Sequence, residues 1–189
     1  ATCSFGAEQY IGSVRSRLAL RAEIRVSGIV QGVGFRPFIY RTAVKNRLVG
    51  YVRNRGDAGV EIVVEGVEND VKRFVNELKS SKPPLARIYN ISVKFSEDRR
   101  EFEEFTILKS SEEVKFSGSV IPPDVSICDE CLKEMRDSRN RRHDYFFTTC
   151  TDCGPRYTTI RTLPYDRSNT TMLEFPMCPL CQKEYANPL

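Results

Sequence analysis

The sequence predicts an α+β fold: an antiparallel sheet with helices on one face, joined by a linker to a small region built around cysteines. Three observations carry this. Over residues 21–109, apolar periods follow one another in the order strand, helix, strand, strand, helix, strand. A run of charge, small residues and a Pro-Pro pair interrupts them at 110–126, as a linker does. Six of the seven cysteines then fall into three Cys-x-x-Cys pairs within 127–189, which is metal-ligand spacing rather than a scattered disulfide framework.

Each element follows from its residues. Residues 1–20 show no sustained period and read as a flexible leader, with Cys3 a free thiol. From Arg21 the chain alternates small or apolar with polar residues, as a half-buried strand does, and enters the glycine-bearing stretch Gly28 to Gly34. Pro37 is expected at the first position of a helix, with Phe38, Ile39, Thr42, Ala43 and Val44 recurring at helical spacing up to Arg47. Val49 to Arg53 and Val60 to Val64 read as an antiparallel hairpin around the turn-rich AsnArgGlyAspAlaGly. Val67 to Leu78 sets Val71, Phe74, Val75 and Leu78 on one helical face, and SerSerLysProPro ends it. Alternation resumes from Ile88 to Phe95 at Ile91, Val93 and Phe95, and a short strand, Phe102 to Leu108, closes the set. The order matches the split βαβ arrangement of ferredoxin-like folds, βαββαβ.

At 189 residues, 40% hydrophobic and 29% charged, the chain holds one ordinary core plus a smaller module. No window approaches the roughly eighteen uncharged apolar residues that span a bilayer, and no signal-peptide core opens the sequence, so a soluble, cytoplasmic protein is expected. A net charge of +4 is too small to argue for nucleic acid by itself.

The candidate chemistry begins at the glycine loop. Glycines between a strand and a helix let backbone N–H groups converge on an anion, and the helix start adds partial positive charge, so Gln31, Gly32, Val33, Gly34 and Phe35 are placed to bind phosphate. Arg36 adds a planar, permanently charged fork suited to two phosphate oxygens. Such a loop can also serve only tight turning, and Asn54, before Gly56, can be a turn residue. However, Val26-Ser-Gly-Ile-Val-Gln-Gly-Val-Gly-Phe-Arg-Pro-Phe38 closely resembles the signature of the acylphosphatase family, and Gly50-Tyr-Val-Arg-Asn54 followed by Gly59 to Gly66 resembles its second block. The resemblance implies that Arg36 binds the phosphoryl group and that Asn54 orients the attacking water.

Cys128-x-x-Cys131, eighteen residues, then Cys150-x-x-Cys153 supply four soft ligands suited to one tetrahedral zinc, with redox-active dithiols as the alternative. Twenty-four residues later Cys178-Pro-Leu-Cys181 forms half of a second site, to be completed by ligands from elsewhere or by a pair in a longer polypeptide. His143 is a conceivable ligand but sits in a basic stretch that reads as a solvated loop. The run Arg136 to Arg142 beside Tyr145, Phe146 and Phe147 suggests nucleic-acid binding, which Glu130, Glu134, Asp137 and Asp144 dilute.

The cysteine pattern, CysGlyProArgTyrThr at 153–158 and LeuProTyrAspArgSerAsnThrThrMet at 163–172, added to the first domain, resembles the N-terminal part of the HypF family of carbamoyltransferases. That family takes part in [NiFe]-hydrogenase maturation. The resemblance implies hydrolysis of carbamoyl phosphate, bound zinc, and HypE as the partner that receives carbamoyl groups destined for cyanide ligands. Two other readings stay open: a non-catalytic zinc-dependent interaction module, and a stand-alone general acylphosphatase.

Overall fold

The structure is a computed structural model and describes residues 19–56, 58–97, 101–111 and 120–188. The leader and Cys3 lie outside these residues, except that the first strand, β1, already begins at Ala19 and runs to Ile29. Then come α1 (Phe35–Lys45), β2 (Val49–Asn54), β3 (Val60–Val67), α2 (Glu68–Ser80), β4 (Arg87–Glu97) and β5 (Phe105–Ile107). The sheet order is β4-β1-β3-β2-β5. β1 lies antiparallel between β3 and β4, and β2 and β3 form the expected hairpin. The all-antiparallel expectation fails at one edge, where β5 pairs parallel with β2 through Gly50↔Phe105 to Val52↔Ile107.

Alternation along β1 decides what each face does. Ala22, Ile24 and Val26 are buried and meet Val52, Ile62 and Val64 from the neighbouring strands, with Ile39 and Ala43 of α1 and Val71, Phe74 and Leu78 of α2. All four apolar positions expected of α2 are buried. Each such side chain contributes about 1.5–3 kcal/mol of burial free energy. The opposite face carries Arg21, paired in register with Glu65 on β3, whose carboxylate is 1% exposed and accepts from Arg21 Nη1 at 2.7 Å. The Arg21 guanidinium also sits 5.7 Å from the Phe102 ring centre.

Three expected details differ. α1 starts at Phe35 rather than Pro37, so the proline is the third helical residue, still within the turn whose N–H groups have no intrahelical acceptor. Val44 is exposed because the buried stripe of α1 runs through Phe35, Ile39, Thr42 and Ala43 and leaves it on the outward side. Phe95 is 51% exposed although it faces Ala22, because β4 is an outer strand with a neighbour on one side only.

The cysteine region is mostly irregular, with two short helices, α3 (Asp129–Arg136) and α4 (Pro179–Ala186), and two single 3₁₀ turns at Arg167–Asn169 and Thr171–Glu174. The described end of the expected linker is tied to this region: Val125 bridges Gly154, and the Asp124 carboxylate accepts from the backbone N–H of Arg156 at 2.6 Å and of Thr158 at 3.2 Å. The Thr158 hydroxyl donates to the same carboxylate.

Candidate functional site

The glycine loop between β1 and α1 turns through two left-handed residues, Gly32 (φ 69) and Gly34 (φ 71), the second being the N-cap of α1. A side chain is disfavoured in that conformation, which explains glycine there. The side chains of Val33 and Phe35 are buried in the core and anchor the loop. The Gln31 side chain is also buried. It donates to the Gly56 carbonyl at 2.7 Å and accepts from the Tyr165 N–H at 3.0 Å, so it clasps the loop to the β2–β3 turn on one side and to the cysteine region on the other.

Arg36, the second residue of α1, projects from the start of the helix, where N–H groups lack intrahelical partners. With the Asn54 carboxamide turned so that its oxygen faces the guanidinium, the orientation in which both of its ends find complementary partners, that oxygen accepts from Arg36 Nε and Nη2, each at 3.3 Å, so α1 and the end of β2 bring the two expected residues together. Asn54 is 1% exposed, and its backbone carbonyl accepts from Ser111 N–H at 2.9 Å. Such a grouping of guanidinium, carboxamide and helix N-terminus can hold an anion on the arginine and leaves the amide's NH₂ as a donor for a water or an oxygen.

No motif or period signals that the cysteine region lies directly over this loop. Arg36 Nη2 donates to the Tyr165 carbonyl and to Asp166 Oδ1, both at 2.8 Å. A Cβ added to Gly32 would meet the Tyr165 ring at 3.5 Å, and one added to Gly34 would lie 2.8 Å from Asp152 Oδ1. Arg156, 2% exposed, donates through Nε to the Gly32 carbonyl, through Nη1 to Gly154 O at 2.8 Å and through Nη2 to Thr151 O at 3.2 Å. Arg156, Tyr165 and Asp166 all sit in the two motifs singled out above, but contacts 124 to 134 residues apart in sequence leave no periodic trace.

Cys128, Cys131, Cys150 and Cys153 converge, with all four sulfurs within 4.8 Å of one another. Three of the separations are 3.7–3.8 Å. The edge of a tetrahedron with metal–sulfur bonds of about 2.3 Å is about 3.8 Å, so the set fits a tetrahedral metal ion. Burial pushes the Cys131 thiol up, while at Cys153 burial is outweighed by backbone hydrogen bonds at Cys150 and Cys128, which bring it down to about 7. Among the described residues this is the one cluster of three or more potential ligands. Cys178 and Cys181 lie apart from it: Cys178 caps α4, accepting from Cys181 N–H at 3.4 Å, and Cys181 accepts from Arg141 at 3.5 Å. His143 meets Asp144 at 3.5 Å and does not join either pair.

The fold and the loop define a class. The chain belongs to the acylphosphatase family: the Acylphosphatase family model matches residues 22–107. The acylphosphatase of Thermotoga petrophila is 47% identical over 85 residues, 45% of this chain and 92% of its own. Beyond that domain, the HypF finger model matches residues 127–160, and the whole arrangement corresponds to the N-terminal part of HypF. The probable carbamoyltransferase HypF of Methanocaldococcus jannaschii is 51% identical over 150 residues, 79% of this chain and 20% of its own. A crystal structure of full-length HypF in a phosphate- and nucleotide-bound form superposes with a TM-score of 0.83 at 40% identity, covering 90% of this chain and 22% of that one. The chain thus spans about a fifth of the length of the HypF relatives it matches. No described helix is long and apolar enough to cross a membrane.

Proposed function

We propose that this chain is the acyl-phosphate-hydrolysing portion of a HypF-type carbamoyltransferase, acting on carbamoyl phosphate and supplying carbamoyl groups, through the partner HypE, toward the cyanide ligands of [NiFe] hydrogenase. The observation that carries the reading is the Arg36 guanidinium held 3.3 Å from the Asn54 carboxamide beside the Gly32–Gly34 loop. Arg36 and the loop N–H groups bind the phosphoryl oxygens, and the Asn54 NH₂ holds a water behind phosphorus. The water oxygen bonds to phosphorus as the bond to the acyl oxygen breaks. Carbamate leaves with its electron pair, and the water proton passes to a phosphoryl oxygen. Charge neutralisation and in-line positioning suffice for so good a leaving group.

The four cysteines Cys128, Cys131, Cys150 and Cys153 hold zinc, which when bound supplies folding free energy to a region with few buried apolar residues. Cys178 and Cys181 are half of a second zinc site, whose other ligands are not among the described residues. The domain limits proposed are 21–109 for the hydrolase and 127–189 for the zinc region.

Arg36→Ala and Asn54→Ala should each abolish phosphate release from carbamoyl and acetyl phosphate. Arg36→Ala carries in addition the loss of its bonds to the 165–166 segment, so its melting temperature falls slightly while that of Asn54→Ala changes little. Retained turnover in both variants refutes the assignment, and equal turnover of benzoyl and carbamoyl phosphate favours a general acylphosphatase. The reading as a non-catalytic module draws on the closure of Arg36 by Asp166. Nucleic-acid binding finds less support, because Arg141 and Arg142 are engaged by Glu184 and Glu134.

A further inference from the structure

We propose that Asp166, contributed by the cysteine region, is a residue of the phosphoryl site: its carboxylate occupies the Arg36 guanidinium until an incoming phosphoryl group displaces it. This rests on the reading of Arg36 as the phosphate ligand. The geometry is that of an occupied anion site. Arg36 Nη2 carries two hydrogens, and both are taken by close acceptors, the Tyr165 carbonyl and Asp166 Oδ1, each at 2.8 Å, with the Asn54 oxygen a longer third neighbour at 3.3 Å. Nε is turned to Asn54, and among the described residues Nη1 meets only the Ser110 hydroxyl, at 3.5 Å. A phosphoryl group gripped by both Nη atoms therefore has to take the place of one Nη2 acceptor. The Tyr165 carbonyl belongs to a backbone anchored by its own N–H on Gln31. The Asp166 side chain, 28% exposed at the edge of the cover, can swing into solvent.

The consequence is a site that is organised without substrate but selective. Asp166 and Tyr165 keep the guanidinium directed over the loop and against Asn54, so a substrate meets a formed site rather than a free arginine. The carboxylate also competes with every anion. A weakly held ion such as inorganic phosphate is disfavoured, and a ligand that gains further contacts beyond the phosphoryl group overcomes the competition. Asp166 is thus a positioning residue when the site is empty and a competitor when it fills.

The test is the affinity for inorganic phosphate, measured by titration calorimetry on the metal-loaded chain, in wild type, Asp166→Asn and Asp166→Ala. Asn keeps the size and a neutral acceptor, and Ala removes the group. A partly exposed ion pair of this kind sets the expected gain at about two- to fivefold tighter phosphate binding in both variants. The Arg36 Nε–H resonance should move on phosphate addition in all three forms and should already be shifted in the variants without it. Phosphate binding to wild type with unchanged or weaker affinity in the variants overturns the role of Asp166 alone. No phosphate binding by any form, with Arg36 unperturbed, overturns the phosphoryl-site reading as well.

Discussion

Arg156→Met tests whether the cysteine region truly fastens the glycine loop. The guanidinium is 2% exposed and donates to three backbone carbonyls, Gly32, Gly154 and Thr151, of which the first belongs to the loop and the others to its own region. Methionine keeps most of the apolar stem and removes all three bonds. At about 1 kcal/mol net for each hydrogen bond, with the charge's own desolvation offsetting part of any larger value, the loss is about 3 kcal/mol. For a chain of this size a loss of 1 kcal/mol lowers the melting temperature by about 2–4 °C, so a fall of about 6–12 °C is expected. Arg156→Lys, a point charge without a fork, should recover roughly a third of it. Calorimetric unfolding reports the stability, metal content shows whether the cysteine site survives, and amide hydrogen exchange at Gly32 and Val33 locates the effect. A change under about 0.5 kcal/mol, or full recovery by lysine, would refute the idea that this planar fork joins the two parts.

Three other perturbations reach different parts of the molecule. Glu65→Ala leaves the Arg21 guanidinium facing, among the described residues, the half-exposed carboxylates of Glu23 and Glu101 and should cost about 3 kcal/mol in denaturant unfolding, with Glu65→Gln costing less; equal stability of all three proteins would contradict a buried ion pair. Chelation of the metal under reducing conditions should raise amide exchange through 127–160 and, by way of Arg156, at Gly32 to Gly34, while Ile24 and Ile62 stay protected; an unaffected loop would show that the metal region does not support it. The Thr158 hydroxyl and the Arg156 N–H hold the Asp124 carboxyl below its ordinary value of 3.8. Because the folded value is depressed, this contribution is complete above the ordinary value and lost as pH falls through the lowered one. Melting temperature below about pH 4 should therefore decline less steeply in Asp124→Asn than in wild type, and parallel curves would remove Asp124 from the account.

The main sheet and both its helices were legible because one core writes a period into every element that touches it. Val71, Phe74, Val75 and Leu78 declare α2, and Ala22, Ile24 and Val26 declare β1. What was not legible lies where that period is absent or shared. β5 has three residues, too few for alternation to reveal its parallel pairing. Phe95 keeps a strand's rhythm near the end of an outer strand, so the pattern overstates its burial. Arg36, Asn54 and the four clustered cysteines could be proposed from local motifs, and the structure brings each set together. The hold of Arg156, Tyr165 and Asp166 on the loop depends on irregular backbone meeting a distant turn, and no local pattern in the sequence encodes such a meeting.

The place of β1 between β3 and β4 has a consequence for synthesis. Both of its partners come later in the chain, and the second begins at Arg87, long after Ile29 has been made. At about 5–20 residues per second, a ribosome needs roughly 3–12 s to cover that interval. Throughout it one border of β1 has no native strand to pair with, and a neighbouring nascent chain could take the vacancy. Arg21, Glu23 and Arg25, alternating along that strand, put like and unlike charges in the way of such a substitute, so the same residues that face away from the core serve as guards against mispairing before the core exists.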